Sequence, residues 1–320
     1  MPVYRKKNSS LILLIWAFNL LGLLALLLVF LLGALRPPAL AAPQLPPPGT
    51  AEPTRTPVPT RYYLPTVTPN PRSTQPVLST PTIFVLPYGQ EPEVIGFSAS
   101  SRPIQVYTFG HGEKQRLIVA GIHGGYEWNT IALADQLITY INAHPEVVPS
   151  DVTLFILRNV NPDGDARDHG IDGRVNDHGV DLNRNFPVNW SATWDRSGCF
   201  DQAPTTSGTG PASEPETRLI TNFISNRRIE ALISYHSAAL GIFPGGTPWD
   251  PTSVRLAEQI ASVSSYPYPP VQTGCVYAGT LADYAVSKGI AAVEIELTDH
   301  QNTDFSMNLR VLKSLLEFQP

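Results

Sequence analysis

From about Ile83 to the C-terminus the sequence predicts an α/β fold with a mixed, largely parallel central sheet and helices on both of its faces. Short apolar runs without helical period, such as Leu117-Ile118-Val119-Ala120-Gly121-Ile122 and Val152 to Leu157, read as buried strands. Longer segments with apolar residues at helical spacing lie between them. The two kinds alternate along the chain, the pattern left by parallel strands joined through crossover helices.

Taken in order, Ile104 to Phe109 reads as an edge strand and Leu117 to Ile122 as a buried one. Trp128 to Ala143 follows as a helix, with Ile131, Ala134, Leu137, Ile138 and Ile141 on one side. After the Val152 strand comes a polar stretch, Asn161 to Asn185, too long to be a simple connection and therefore a candidate functional loop. Ser213-Glu214-Pro215-Glu216 has the form of a capping box opening a helix to about Arg227. Ala231 to Tyr235 is a strand ending at His236. Asp250-Pro251 supplies an N-cap and a first-turn proline for a helix through Ser262. Leu281 to Ser287 predicts a short helix, Gly289 to Glu296 a strand, and Asp304 to Glu317 a final helix.

The first 82 residues have a different character. Residues 1–10 form a basic flank, with Arg5, Lys6 and Lys7, ahead of an apolar run over 11–35. That run exceeds the roughly 20 residues needed to cross a bilayer and is longer than the usual signal core. It predicts a transmembrane anchor or uncleaved signal, with the basic flank inside and the rest outside the cytoplasm. Secretion after cleavage beside Ala39-Leu40-Ala41 is the alternative; both readings export the chain. Nearly half of the 32 prolines fall between Pro37 and Pro87, so residues 36–82 read as a Pro/Thr-rich disordered stalk carrying a domain over 83–320. The net charge of −5 and the lack of any further basic cluster argue against nucleic-acid binding.

Three predicted strands end on groups of catalytic type: His123, His236 and Glu296. Ligands of open α/β sheets bind at the carboxyl ends of strands. A hydrolytic zinc site needs three protein ligands and one open position. His123, Glu127 and His236 supply those three, for one zinc ion. A carboxylate outside the ligand set must then move protons. Glu296 is the candidate, and Glu294 is its rival because strand alternation puts both on one face. In the long loop, Asn183 and Arg184 can grip a substrate carboxylate, and Arg174 can face an oxyanion.

With these residues in place the chain resembles the zinc carboxypeptidase family related to carboxypeptidase A. The likeness runs through Asn161-Pro162-Asp163-Gly164, Gly179 to Phe186, Ser213 to Glu216, Ser234-Tyr235-His236-Ser237 and Glu296-Leu297-Thr298-Asp299. It implies zinc on His123, Glu127 and His236, Arg174 as electrophile, Asn183 and Arg184 as the clamp on a terminal carboxylate, and Glu296 rather than Glu294 as general base. The substrate implied is a peptide with a free C-terminal carboxylate, as in the cell-wall stem peptides on which bacterial relatives act. Tyr277 is placed as the family's mobile tyrosine, and Leu281 as a specificity-pocket wall favouring an apolar or neutral side chain unless Asp283 reaches in. The chain departs from the family pattern in having three residues, rather than two, between the first histidine and the glutamate. Outside the cytoplasm an even cysteine count suggests a disulfide, and Cys199–Cys275 would tie two active-site loops together. The rival readings are a zinc deacylase of the aspartoacylase type and a catalytically silent peptide-binding module.

Overall fold

Seven strands, β1 (Glu93–Phe97), β2 (Pro103–Gly110), β3 (Lys114–Val119), β4 (Val152–Leu157), β5 (Ile229–Ser237), β6 (Gly241–Pro244) and β7 (Ala291–Leu297), form one sheet in the order β1-β2-β4-β3-β5-β7-β6. The four central strands β4, β3, β5 and β7 are mutually parallel; β1, β2 and β6 pair antiparallel at the two edges. This computed structural model describes residues 91–194, 198–272 and 274–320. The expected anchor over 11–35 and stalk over 36–82 lie outside the described residues, among which no helix is long and apolar enough to cross a membrane.

Among the described residues six α-helices pack with the sheet: α1 (Trp128–Ala143), α2 (Pro162–Arg167), α3 (Pro215–Ser225), α4 (Pro251–Ala261), α5 (Leu281–Ser287) and α6 (Phe305–Glu317). Alternation along each strand splits the interior into two cores. Ile118, Ile156, Ile233, Val293 and Ile295 pack on one face with apolar residues of α1, α4 and α6. Leu117, Val119, Leu157, Leu232 and Ala292 pack on the other with α3 and α5. Towards the carboxyl end of this second face the alternating positions turn polar: Ser234 and His236 on β5, Glu294 and Glu296 on β7, in register as Ser234 beside Glu294 and His236 beside Glu296.

Three expectations change. The Ile104–Phe109 segment is not at the edge, because β1 covers β2. The buried strand ends at Val119 rather than Ile122, where Gly121, at φ +66°, begins the turn to His123. The capping box does not form: Glu214 is the N-cap without a side-chain cap bond, Ser213 Oγ donates to Glu214 Oε1, and Glu216 instead accepts from the Ala99 amide at 2.8 Å. The α4 start is as the sequence suggests, with Asp250 Oδ2 accepting from the Ser253 amide and Pro251 at the first position.

Candidate active site

His123 leaves β3 into a single 3₁₀ turn, Gly124–Glu127, and Glu127 is the N-cap of α1. The three intervening residues therefore make one tight turn that brings the i and i+4 side chains together. Two glycines permit it. Gly124 has φ +48°, and a Cβ on Gly125 would stand 2.0 Å from the Asp168 carbonyl oxygen, so larger residues cannot pack there.

His123, Glu127 and His236 are all buried, and one ligand atom from each lies within 4.8 Å of the others. His123 Nδ1 is 2.7 Å from Glu127 Oε1 and 3.3 Å from His236 Nδ1, which is 3.1 Å from Glu127 Oε2. The outward ring nitrogens are held: His123 Nε2 lies 3.0 Å from Asp181 Oδ1, and His236 Nε2 lies 3.0 Å from Ser234 Oγ. An acceptor fixed on one ring nitrogen keeps its proton there and turns the other lone pair inward, the usual outer support of a metal-binding imidazole. Two imidazoles and a carboxylate are a donor set that suits zinc.

Asp181, inside the Gly179–Phe186 stretch, is a further member of the site that no sequence signal singles out. Its carboxylate also accepts from Arg174 Nε at 3.0 Å and from the Asn183 amide at 3.1 Å. Burial opposes its charge, but Arg174 and His123 outweigh that and hold the carboxyl well below the usual range. Arg174 stays fixed in turn, its guanidinium carbon 4.4 Å from the Phe200 ring centre.

A cavity of about 270 Å³ lies over the triad, with Arg174, Asn183, Arg184, Tyr277, Glu294 and Glu296 in its wall. Glu296 Oε2 accepts from the Ala239 amide at 2.9 Å. Burial pushes its carboxyl up to about 7, and the Glu127 and Glu294 charges add to the effect against the opposing pull of His236. Burial also resists charge on His236, yet its bond to Glu127 and the surrounding carboxylates raise that imidazole to about 9. Arg184 is only 5 % exposed; it donates to the Asn183 carbonyl, lies 5.2 Å from the Tyr277 ring centre, and its Nε has no hydrogen-bond partner. Among the described residues it forms no ion pair.

Asn183 lies in the cavity wall and is tied down there, while Leu281 sits apart from it. Asn183 Nδ2 donates to Glu294 Oε1 at 3.0 Å and its Oδ1 accepts from the Leu281 amide, so the loop is latched to β7 and α5. Leu281 does not line the cavity: its side chain is fully buried in the second core, as the first residue of α5 facing the sheet. The Cys199–Cys275 disulfide is present, and both cysteines border the cavity.

A family model described as zinc carboxypeptidase matches residues 89–316. The chain is 43% identical over 59 residues to human carboxypeptidase O, covering 18% of this chain and 15% of that protein. It is 28% identical over 162 residues to murein peptide amidase A of Escherichia coli K12, covering 47% of this chain and 58% of that one. Both matches thus span less than two thirds of the relative's length. The crystal structure of murein-tripeptide amidase MpaA from Escherichia coli O157 shares the fold with a TM-score of 0.54 at 22% identity, over 72% of this chain and 93% of that one. The family match takes in well over half of the sequence, and the chain belongs to the zinc carboxypeptidase family.

Proposed function

We propose that the chain is a zinc-dependent carboxypeptidase that removes C-terminal residues from peptides, with cell-wall stem peptides as the natural class. The observation that carries this reading is Arg184, a buried guanidinium beside the His123–Glu127–His236 triad whose Nε has no partner and which, though its charge reaches Asp181, forms no ion pair among the described residues. A buried charge without a counter-charge is costly. A peptide's terminal carboxylate entering the cavity satisfies it in the fork geometry that arginine prefers.

His123, Glu127 and His236 would hold the zinc, which when bound supplies Lewis acidity and lowers the pKa of water. Glu296 takes a proton from the attacking water on its carboxylate and returns it to the leaving amine. A carboxyl pushed up to about 7 is suited to both transfers near neutral pH. Arg174, locked by Asp181, presents its guanidinium to the oxygen that gains charge on the scissile carbonyl. Arg184 and the free amide hydrogen of Asn183 fix the substrate's terminus, and Tyr277, against Arg184, flanks it. The murein amidase likeness supports the cell-wall class. The basic flank before the apolar run at 11–35, together with the disulfide, supports action outside the cytoplasm on a membrane anchor.

The test compares peptides with free and amidated C-termini, alongside acyl-amino acids and muropeptides, on zinc-loaded protein. Free-carboxylate peptides are cleaved, and Arg184→Met lowers kcat/KM on the order of 100-fold, the scale of losing a buried charge pair. Equal cleavage of amidated peptides refutes the reading. Turnover of acyl-amino acids alone would assign the chain to the deacylases, and peptide binding without turnover would make it a silent module.

A further inference from the structure

The start of α1 carries a buried polar side chain that the reaction described above does not use. Asn129 is fully buried, two residues beyond Glu127. Both hydrogens of its Nδ2 are spent on the loop that follows β7, on the Asp299 carbonyl at 2.6 Å and the Asn302 carbonyl at 2.9 Å. Only the amino end of the amide can meet two carbonyls, so the group has one orientation and its Oδ1 must accept. The donor it meets is Ser237 Oγ, at 2.9 Å, one residue beyond His236. A serine hydroxyl has a single proton. With that proton on Asn129, Ser237 Oγ can only accept from its other neighbour, His300 Nδ1, at 3.1 Å. His300 borders the cavity over the triad, its ring centre 4.7 Å from that of Tyr126. Two residues past Ser237, the Ala239 amide donates to Glu296 Oε2 at 2.9 Å.

We propose that Asn129 is a positioning residue for the hydrolysis: its one amide ties the Glu127 end of α1 to the His236 end of β5 and to the loop leaving the Glu296 end of β7. It touches no group of the substrate in this scheme and acts through its partners. The Ser237 bond fixes the turn whose Ala239 amide holds the Glu296 carboxylate, so the base keeps its place against the triad. The two carbonyl bonds fix the loop into which the Glu296 strand runs, beginning at Asp299, three residues on. The third consequence is a proton. The chain from Asn129 through Ser237 keeps His300 Nδ1 protonated and its ring held in the cavity wall. Removing one member leaves the others buried and unpaired, so the arrangement holds or fails as a unit. The inference rests on the carboxypeptidase reading for its effect on turnover, and the position of the His300 proton is independent of that reading.

The experiment uses the full-length chain in detergent, as wild type and as Asn129→Leu, Ser237→Ala and Leu256→Ala. Leucine is close in shape to asparagine and makes none of its bonds. Leu256, buried on α4 in the core shared with α1 and α6, is a control that loses stability away from the site. With zinc bound and a free-carboxylate peptide as substrate, Asn129→Leu lowers kcat on the order of 100-fold with KM little changed, the scale of a misplacement of about 1 Å. Its zinc affinity, read by competition with a chelator, falls about 10-fold. Ser237→Ala shows part of both losses, and Leu256→Ala shows neither. Nitrogen-15 NMR of the imidazoles at alkaline pH, assigned with His300→Gln, finds the His300 proton on Nδ1 in the wild type and in Leu256→Ala, and no longer confined there in Ser237→Ala. Should Asn129→Leu fail to fold, the wild-type spectrum and Ser237→Ala still decide. A His300 proton on Nε2, or a Ser237→Ala protein with wild-type kcat and zinc affinity, overturns the inference. So does an Asn129→Leu protein that matches Leu256→Ala in both. A wild type that cleaves no free-carboxylate peptide overturns the carboxypeptidase reading, and the spectrum and zinc affinities then test Asn129 without it.

Discussion

Replacing Asp181 with asparagine separates the support of the site from its chemistry. The side chain is 2 % exposed and its carboxylate binds three groups: His123 Nε2 at 3.0 Å, the Arg174 guanidinium at 2.9 Å, and the Asn183 amide at 3.1 Å. Asparagine keeps the shape and removes the charge. Arg174 is then left buried with only Glu127, 3.5 Å away, as counter-ion. Breaking a buried pair costs about 3–5 kcal/mol, and the remaining Glu127 contact puts the expectation near the lower end. For a domain of this size that is a Tm loss of roughly 6–12 °C. The amide also presents a donor as readily as an acceptor to His123 Nε2, so the inward lone pair on Nδ1 is no longer enforced. Loss of such outer support weakens metal affinity about 10- to 100-fold. Calorimetry on metal-free protein reads the first effect and zinc competition against a chelator reads the second. Unchanged zinc affinity would refute the orienting role of Asp181 even if stability fell, and unchanged stability would refute the account of Arg174.

What the sequence revealed of the fold depended on how local each signal was. The Trp128–Ala143 helix and the Val152–Leu157 strand occupy the expected residues, because period and apolar content lie within each segment. The Leu281–Ser287 helix does too, with Thr280 Oγ1 capping the Asp283 amide. β1 and β6 gave no such signal. β1 is a largely exposed edge of five residues, and β6 has four residues bounded by Gly241 and Pro244; their pairing is set by the neighbouring strand. The polar stretch Asn161–Asn185 is ordered by side chains that bond the backbone. Asn161 accepts from Gly164 and donates to the Arg174 carbonyl, while Asn176 accepts from the His178 and Val180 amides and donates to Glu214. Most of these bonds are local but run from side chains to backbone groups and leave no apolar period, so composition alone reads the segment as a loop.

The site was legible in its residue types and not in its latches. His236 and Glu296 stand out near the ends of strands and His123 and Glu127 just beyond another, and all four border one cavity. Alternation alone could not separate Glu294 from Glu296, since both face the same side. The structure gives them different neighbours: Glu294 accepts from Asn183, and Glu296 accepts from Ala239. Asp181 is likewise visible beside Asn183 and Arg184, but its reach to His123, 58 residues earlier, exists only in three dimensions. Leu281 was placed by resemblance, and burial against the sheet moves it from the site to the core.

Two further outcomes follow from the same contacts. The Cys199–Cys275 bridge spans 76 residues, and the chain-entropy account gives about 4.5 kcal/mol for a loop of that length. The double Cys→Ser variant should lose roughly 10 °C or more in Tm and raise KM, since both cysteines border the cavity; an unchanged Tm refutes that ledger. Glu296 makes the metal-free protein sensitive to pH. Its carboxyl titrates near 4.5 when unfolded and near 7 when folded, so between those values the folded state binds the extra proton. Stability from this group is therefore full below pH 4.5 and falls as pH rises through 7, by on the order of 3 kcal/mol at about 1.36 kcal/mol per unit. Glu296→Gln keeps the shape and cannot ionise, so the metal-free variant should gain on the wild type as pH rises from 4.5 to 8. Denaturant unfolding of both proteins at those two pH values measures the difference. A gap that stays constant, or narrows towards high pH, would show that burial does not hold this carboxyl in its protonated form.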